Sequence, residues 1–464
     1  MYTPLLLPLL AKLAATVSAQ GASLSVDATQ RFQTVDGFGF SEAFQRANQI
    51  IDLPEASRKR TLDLLFSDTE GAGFTILRNG IGSSPNSNND WMNSIEPVNP
   101  GSPSAPPKYH WDGKDSGQVW MSKQAKKYGV KTFYADAWSA PGYMKTNNDD
   151  SNGGYLCGIR RTHCSSGDWK QAFANYLVKY LHLYEQSGIP ITHVGFLNEP
   201  DLNITYASMQ SDGAQAADFL KVLVPTLRKA GLGTNVVCCD ATGWLQQGDI
   251  LYELQEAGGE DLVNVVSSHG YQSQPSLPFN TDRPVWQTEW ANLDDPWTAA
   301  WDHLGKTGEG IVWANYVQQT FVQSNVSAFI YWIGAENSTD NSMLIRLNGD
   351  SVEPSGRLWA MAQFSRFVKP GAVRIAASST KEVLHMSAFE NTDGTIAIQV
   401  INNGHVGTEA SVSIKGASGS AKHVQPYLTN SDHDLTVLKK VSVENGNFVS
   451  HIPARSMISF VLKK

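Results

Sequence analysis

The 464-residue sequence predicts an α/β fold, a (β/α)8 TIM barrel, with an appended all-β sandwich side domain. Three observations carry this reading. Eight short β-branched or aromatic runs alternate with longer segments between Val35 and Trp332. Beyond Pro370 the helical period disappears, and Val/Ile/Ser/Thr runs broken by turns replace it. The segment Gly21–Gln33, ahead of the first barrel run, alternates in the same manner as that C-terminal region.

In chain order, the apolar stretch and small residues ending Val17-Ser18-Ala19 read as a secretory signal peptide over 1–19. Residues 20–34 form a strand segment expected to join the β-domain. The catalytic barrel spans 35–366 and the sandwich 367–464. The barrel strands are placed at Val35–Phe40, Phe74–Arg78, Thr132–Ala137, His193–Asn198, Val236–Asp240, Val265–His269, Val285–Glu289 and Ala328–Trp332. Helical periodicity is clearest over Trp169–Gln186, Asp212–Ala230 and Gly310–Gln323. A doubly wound open sheet shares this alternation, and the count of eight strands favours the barrel. The long polar loop from Asn79 to Ser116 follows the second strand, so it is expected to flank substrate at the C-terminal face of the barrel.

Composition excludes several classes of function. A net charge of −8 offers no basic surface to displace counterions from nucleic acid. No run after the leader approaches the ~18 apolar residues of a membrane span, so a soluble, secreted, extracellular protein is expected, with a monomer as its expected state. Three sequons, at Asn203, Asn325 and Asn337, fit a eukaryotic secretory route as glycosylation sites. Cys157 and Cys164 flank a polar loop and are expected to close it as a disulfide. A metal site from Cys157, His163 and Cys164 is disfavoured because no second ligand pair has suitable spacing. Cys238-Cys239 lies in a buried-strand pattern and reads as free packed thiols. Nothing in the sequence requires a metal or an organic cofactor.

The chemistry is carried by two glutamates, Glu199 in Leu197-Asn198-Glu199-Pro200 and Glu289 in Thr288-Glu289-Trp290. Each ends a β-type run, and strand ends of a barrel converge on one face. Two carboxylates brought together there are the pair that glycoside hydrolysis requires. The same rim is expected to hold Arg78, Trp138, Asn198, Trp244, His269, Tyr271, Trp290 and Trp332 as substrate-binding residues, with Tyr143 nearby. One carboxylate at a strand end could be a structural ion pair; two, amid Arg, His, Tyr and Trp, point to sugar chemistry. Glu199 is expected to be the acid/base, its pKa raised by the charge of Glu289. Glu289 is expected to be the nucleophile, kept ionised by Arg78 and Tyr271.

The segments Val35-Asp36-Gly37-Phe38-Gly39-Phe40-Ser41-Glu42-Ala43, Trp138-Ser139-Ala140-Pro141-Gly142-Tyr143-Met144-Lys145, Leu197-Asn198-Glu199-Pro200 and Thr288-Glu289-Trp290 resemble glycoside hydrolase family 30. Phe364-Ser365-Arg366-Phe367-Val368-Lys369-Pro370-Gly371 resembles that family's junction between barrel and β-domain. The resemblance runs in order over nearly the whole chain after the leader. It implies a retaining (β/α)8 enzyme with a side sandwich built partly from the N-terminal segment, with acid/base Glu199 and nucleophile Glu289.

Within that family, Phe44-Gln45-Arg46 and the short β-domain look similar to the fungal xylanase branch. The resemblance implies cleavage of β-1,4-xylosidic bonds, with xylan carrying glucuronic acid as the substrate and Arg46 as the residue that clamps the glucuronate. Trp91 and Asn93 are candidates for closing one end of the cleft and favouring exo-type release. An endo-β-1,6-glycanase or glucosylceramidase of the same fold is the alternative. A noncatalytic carbohydrate-binding barrel is the alternative from another class, and the presence of both glutamates opposes it.

Overall fold

The computed structural model describes residues 21–86, 92–416 and 421–463. The expected leader over 1–19 and Trp91 lie outside the described residues.

The chain begins with β1 (Ala22–Thr34) and then builds the barrel from β2 (Gly37–Ser41), β3 (Ile76–Ile81), β4 (Thr132–Ala137), β5 (His193–Val194), β6 (Asn235–Ala241), β7 (Val265–His269) and β8 (Val285–Glu289). After the short β9 (Asn292–Pro296), β10 (Ala328–Glu336) pairs in parallel with both β8 and β2 and closes the barrel. The closure distinguishes this molecule from the open doubly wound sheet. β11 (Asp340–Asn341) pairs with β9 as a two-stranded ribbon, and β12 (Met343–Asn348) and β13 (Ser351–Pro354) extend the sheet beyond β10.

The helices are α1 (Arg46–Ile51), α2 (Glu55–Phe66), α3 (Gln118–Lys127), α4 (Lys170–Gln186), α5 (Gly213–Lys229), α6 (Trp244–Glu256), α7 (Gly310–Gln323) and α8 (Gly356–Ser365). α5 starts with a reciprocal cap: the Asp212 side chain accepts from the Gln215 backbone N–H, and Gln215 accepts from the Asp212 N–H. α4 buries Phe173, Leu177, Tyr180 and Tyr184, spaced three or four residues apart.

The two-residue period of a strand explains the barrel interior. Ile76, Tyr134, Val237, Val265, Trp286, Ala328 and Ile330 form one buried apolar cluster. Two residues further along the same strands stand Arg78, Asp136, Thr288 and Trp332. Inward positions therefore change from an apolar layer to a polar one toward the strand C-termini. Two irregularities load that polar layer further. The β6–β7 register shifts between Cys239 and Ala241, where Asp240 takes a left-handed φ of 53°. The β7–β8 register shifts between Ser268 and His269, beside the successive residues Thr288 and Glu289. Such bulges re-aim side chains at barrel rims. β5 is shorter than its sequence pattern suggested because beyond Val194 the chain bonds alternately to both sides: Gly195 N–H to Ala135 at 2.9 Å, then Glu199 N–H to Asp240 at 2.8 Å.

The second sheet contains β14 (Val373–Ser379), β15 (Leu384–Glu390), β16 (Ile396–Asn402), β17 (Thr408–Lys415), β18 (His423–Asn430), β19 (His433–Val437), β20 (Val441–Ser442), β21 (Asn447–Ile452) and β22 (Ser456–Leu462). β1 lies between β14 and β17, antiparallel to the first and parallel to the second. Its alternate residues Ala22, Leu24, Val26 and Ala28 are buried in the sandwich core. The sandwich rests on α7 and α8. Gln363 of α8 donates to Thr429 at 2.8 Å, and Gln318 of α7 donates to the Met386 carbonyl at 2.9 Å.

Cys157 and Cys164 form the expected disulfide. Their sulfurs are therefore unavailable as thiolate ligands. Cys238 and Cys239 are buried, as their pattern indicated, but are bonded to each other rather than free. Alternation reports burial of such a pair and says nothing of bonding between neighbours. Among the described residues, no helix is long and apolar enough to cross a membrane. Asn203, Asn325 and Asn337 are all exposed.

Candidate active site

A cleft of about 800 Å³ opens at the C-terminal ends of the barrel strands. Glu199 and Glu289 face it, together with Trp138, Tyr206, Tyr271, Trp290 and Trp332. Glu199 follows β5 with a left-handed φ of 50°, and its backbone N–H is held by the Asp240 carbonyl. Glu289 is the last residue of β8. One carboxylate oxygen of each glutamate and a ring nitrogen of His269 all lie within 4.8 Å of one another.

Each carboxylate has its own donors. Glu289 accepts from a terminal nitrogen of Arg78 and, through Oε1, from the Tyr271 hydroxyl at 2.9 Å. Glu199 accepts from the Tyr206 hydroxyl and pairs through Oε1 with His269 Nδ1 at 3.1 Å. The other terminal nitrogen of Arg78 reaches Asn198 Oδ1 at 2.7 Å, Asp240 Oδ2 at 2.9 Å and Asp136 Oδ2 at 3.0 Å. The guanidinium also lies 4.5 Å from the centre of the Trp138 ring. Asn198 turns its Oδ1 to Arg78, while its Nδ2 has no protein partner among the described residues.

The electrostatics reverse one expectation. Burial acts to raise the Glu199 pKa, but the His269 hydrogen bond and charge, then Tyr206 and Arg78, outweigh it and hold Glu199 below its ordinary value. Burial raises Glu289, with the Glu199 charge adding to it and His269 and Arg78 opposing. His269 itself is desolvated, yet Glu289, Asp240 and Glu199 push it up to about 10. The extra proton of the site thus lies on the imidazole that touches Glu199. The like-charge argument from sequence did not include that imidazolium, which lies closer to Glu199 than to Glu289: 3.1 Å against 3.8 Å.

The structure brings Arg46, Trp138, Tyr271, Trp290 and Trp332 to the cleft, with Arg78, Asn198 and His269 buried beneath the glutamates. Arg46 is already engaged: Nε pairs with Glu336, 2.5 Å away, and a terminal nitrogen donates to the Phe44 carbonyl at 2.6 Å. Three expected residues do not reach the cleft. Trp244 begins α6, stacks on Phe279 with centroids 4.3 Å apart and donates to the Leu277 carbonyl. Tyr143 packs on Trp169 and donates to the Glu96 carbonyl. Asn93 is bridged to Ser84 within the loop after β3. None of the described residues in that loop lines the cleft. Its residues Ser94 and Ile95 are tied instead to the Tyr176 hydroxyl of α4.

Two groups at the site were not anticipated. Tyr206 touches Glu199, and Phe44 sets its edge against Trp138 and Trp332. Phe44 stands in a stretch already notable for Arg46. Tyr206 lies in an irregular loop where no pattern singles it out.

Comparison with known proteins agrees with this architecture. The solved catalytic domain of a family 30 xylanase C from Talaromyces cellulolyticus superposes with a TM-score of 0.90, is 44% identical, and covers 95% of this chain and all of that one. A putative glucosylceramidase 2 of Caenorhabditis elegans is 25% identical over 440 residues, 87% of this chain and 81% of that protein. An endo-1,6-beta-D-glucanase of Trichoderma harzianum is 24% identical over 445 residues, 88% and 87% of the two chains. The family model described as O-Glycosyl hydrolase family 30 matches residues 21–274, and that of the Glycosyl hydrolase family 30 beta sandwich domain matches 371–460. With a closed barrel, a sandwich completed by its own N-terminal strand and two carboxylates facing one cleft, the chain belongs to glycoside hydrolase family 30.

Proposed function

We propose that this hydrolase is a secreted retaining enzyme that cleaves β-1,4-xylosidic bonds, with Glu289 as nucleophile and Glu199 as acid/base. The observation that carries the mechanism is the close approach of the two carboxylates, with oxygens within 4.8 Å. Retaining pairs lie at roughly 5–5.5 Å, whereas inverting pairs need roughly 6.5–9.5 Å to admit a water. In the first half-reaction a Glu289 oxygen attacks the anomeric carbon as the glycosidic bond breaks, and the departing oxygen takes a proton from Glu199. His269 stores that proton and passes it to Glu199 across their hydrogen bond when substrate binds. In the second half-reaction Glu199 takes a proton from water, the water oxygen attacks the anomeric carbon, and Glu289 leaves as a carboxylate. Arg78 and Tyr271 accept that returning charge.

Xylan as the substrate is supported by the likeness to the Talaromyces xylanase. Glucuronate recognition is supported by Arg46 on the cleft wall, although its pairing with Glu336 means that an incoming carboxylate shares the guanidinium with an existing partner. Secretion is supported by the apolar leader pattern and the Cys157–Cys164 disulfide. The second reading is a β-1,6-glucanase or glucosylceramidase, favoured by the relatives from Trichoderma harzianum and Caenorhabditis elegans.

The decisive experiment compares release of reducing ends from glucuronoxylan, a β-1,6-glucan and a glucosylceramide by wild type and Glu289→Gln. Xylan cleavage that disappears in the variant is the expected result. Preference for another glycan overturns the substrate, and turnover by the variant overturns the mechanism.

A further inference from the structure

Asp240 is fully buried and does not line the cleft, yet it touches the supports of both glutamates. Its Oδ2 accepts from Arg78 at 2.9 Å and from the Tyr134 hydroxyl at 2.8 Å, and lies 3.7 Å from His269 Nε2. Oδ1 accepts from the Thr288 hydroxyl at 2.7 Å, next in sequence to Glu289. The Asp240 carbonyl accepts the Glu199 N–H at 2.8 Å. We propose that Asp240 is a positioning residue shared by both catalytic carboxylates: its side chain holds Arg78 under Glu289 and His269 against Glu199, and its main chain fixes the turn that presents Glu199. The inference rests on the reading of Glu199 and Glu289 as the reacting pair.

Asp136, the adjacent buried acid, does not share this role. It reaches Arg78 and Asp240 only, and its Oδ1 has no partner among the described residues. Burial and then the Asp240 charge push its pKa well above the ordinary carboxylate range, and its one hydrogen bond among the described residues is to Arg78. Asp240 supplies the anion facing both cations. Arg78 and His269 are positive and Asp240 is negative, so these three groups together present one net positive charge to the two glutamates. Removing the Asp240 charge leaves both cations more exposed to each other and weakens the hold on the imidazole proton. The groups facing His269 are then Glu199, Glu289 and Tyr271, and those facing position 240 are Arg78, His269, Tyr134 and Asp136.

Asp240→Asn preserves shape and removes the charge. On whichever glycan wild type cleaves, kcat/KM is expected to fall about a hundredfold, the scale of one to two charge-assisted hydrogen bonds. The His269 imidazole titration, followed by 15N NMR, is expected to move to lower pH. A purely structural role would leave that titration in place. Asp136→Asn leaves Asp240 in place beside His269 and Thr288, and is expected to lose less activity without moving the imidazole. If Asp240→Asn does not fold, Asp240→Ser removes the same charge with a smaller side chain and is expected to move the same titration in the same direction. Activity of Asp240→Asn within threefold of wild type, an unmoved imidazole, or equal effects of the two Asp→Asn changes overturns the proposal. Turnover by Glu289→Gln overturns the underlying pair instead, whatever Asp240 does.

Discussion

Arg78→Lys separates the guanidinium's geometry from its charge. Arg78 is fully buried and serves four acceptors: one terminal nitrogen addresses Glu289, and the other addresses Asn198, Asp240 and Asp136. Arg78→Ala would strand buried carboxylates, a change that costs about 3–5 kcal/mol and tests folding before chemistry. Lysine retains the positive charge, but its single ammonium cannot reproduce a fork addressing two sets of acceptors. If the ammonium stays with Asp240 and Asn198, Glu289 loses one charge-assisted hydrogen bond, about 1.5–3 kcal/mol. At about 1.4 kcal/mol per decade, that is a ten- to hundredfold loss in kcat/KM. Arg78 is one of the groups holding the Glu289 pKa down against burial, so its loss raises that pKa further. The rate should then begin to fall at higher pH on the acid side, since the nucleophile acts as carboxylate. The assay is kcat/KM against pH on an aryl glycoside with a good leaving group, paired with a thermal melt. A variant that melts like wild type and matches its kcat/KM and acid limb would refute the idea that Arg78 aims and ionises the nucleophile.

Three further outcomes are expected. His269, held up to about 10, should show imidazolium 15N shifts through neutral pH in the substrate-free enzyme and lose its proton only as pH rises toward that value; an imidazole already neutral at pH 7 would contradict the charge assignment. Arg46→Ala should reduce cleavage of glucuronoxylan more than cleavage of undecorated xylan, and equal loss on both, compared through kcat/KM, would reduce Arg46 to a wall residue that positions Glu336. Replacing Cys157 and Cys164 by serine opens a loop with a sequence separation of 7 and should lower stability by about 2–3 kcal/mol, read by denaturant unfolding.

The barrel was legible because each of its strands is a short buried run bounded by turns, and eight such runs leave few alternatives. β1 was legible for a related reason: Ala22, Leu24, Val26 and Ala28 alternate against polar neighbours although the partners lie more than 340 residues away. Residues in which a strand ends were also well placed, because a strand end fixes the face of the barrel. One step beyond the strand that logic weakens. Trp244 follows β6 by three positions, and by then α6 has begun and carries the indole away toward Phe279. Tyr143 and Asn93 were misplaced for the same reason, since loop direction is set by packing that no local pattern encodes.

The deeper omission concerns charges inside the barrel. Asp136 and Asp240 sit within strands, where an isolated acid in an apolar run gives no sign of its partner. Arg78 was recognised as a strand-end cation, yet the acids beside it were not, because the bulge at Asp240 changes which way the side chain faces. That omission also explains the reversed proton order. Considered as two carboxylates alone, Glu199 and Glu289 repel, and either could hold the proton. With Glu289 beside it and Asp240 below, His269 becomes a stable cation, and the carboxylate nearer to it is the one driven down. Two glutamates thus receive different proton affinities from an imidazolium that Glu289 and the buried Asp240 together hold charged. Position along a strand identifies the reacting pair, whereas their division of labour depends on the buried layer beneath it.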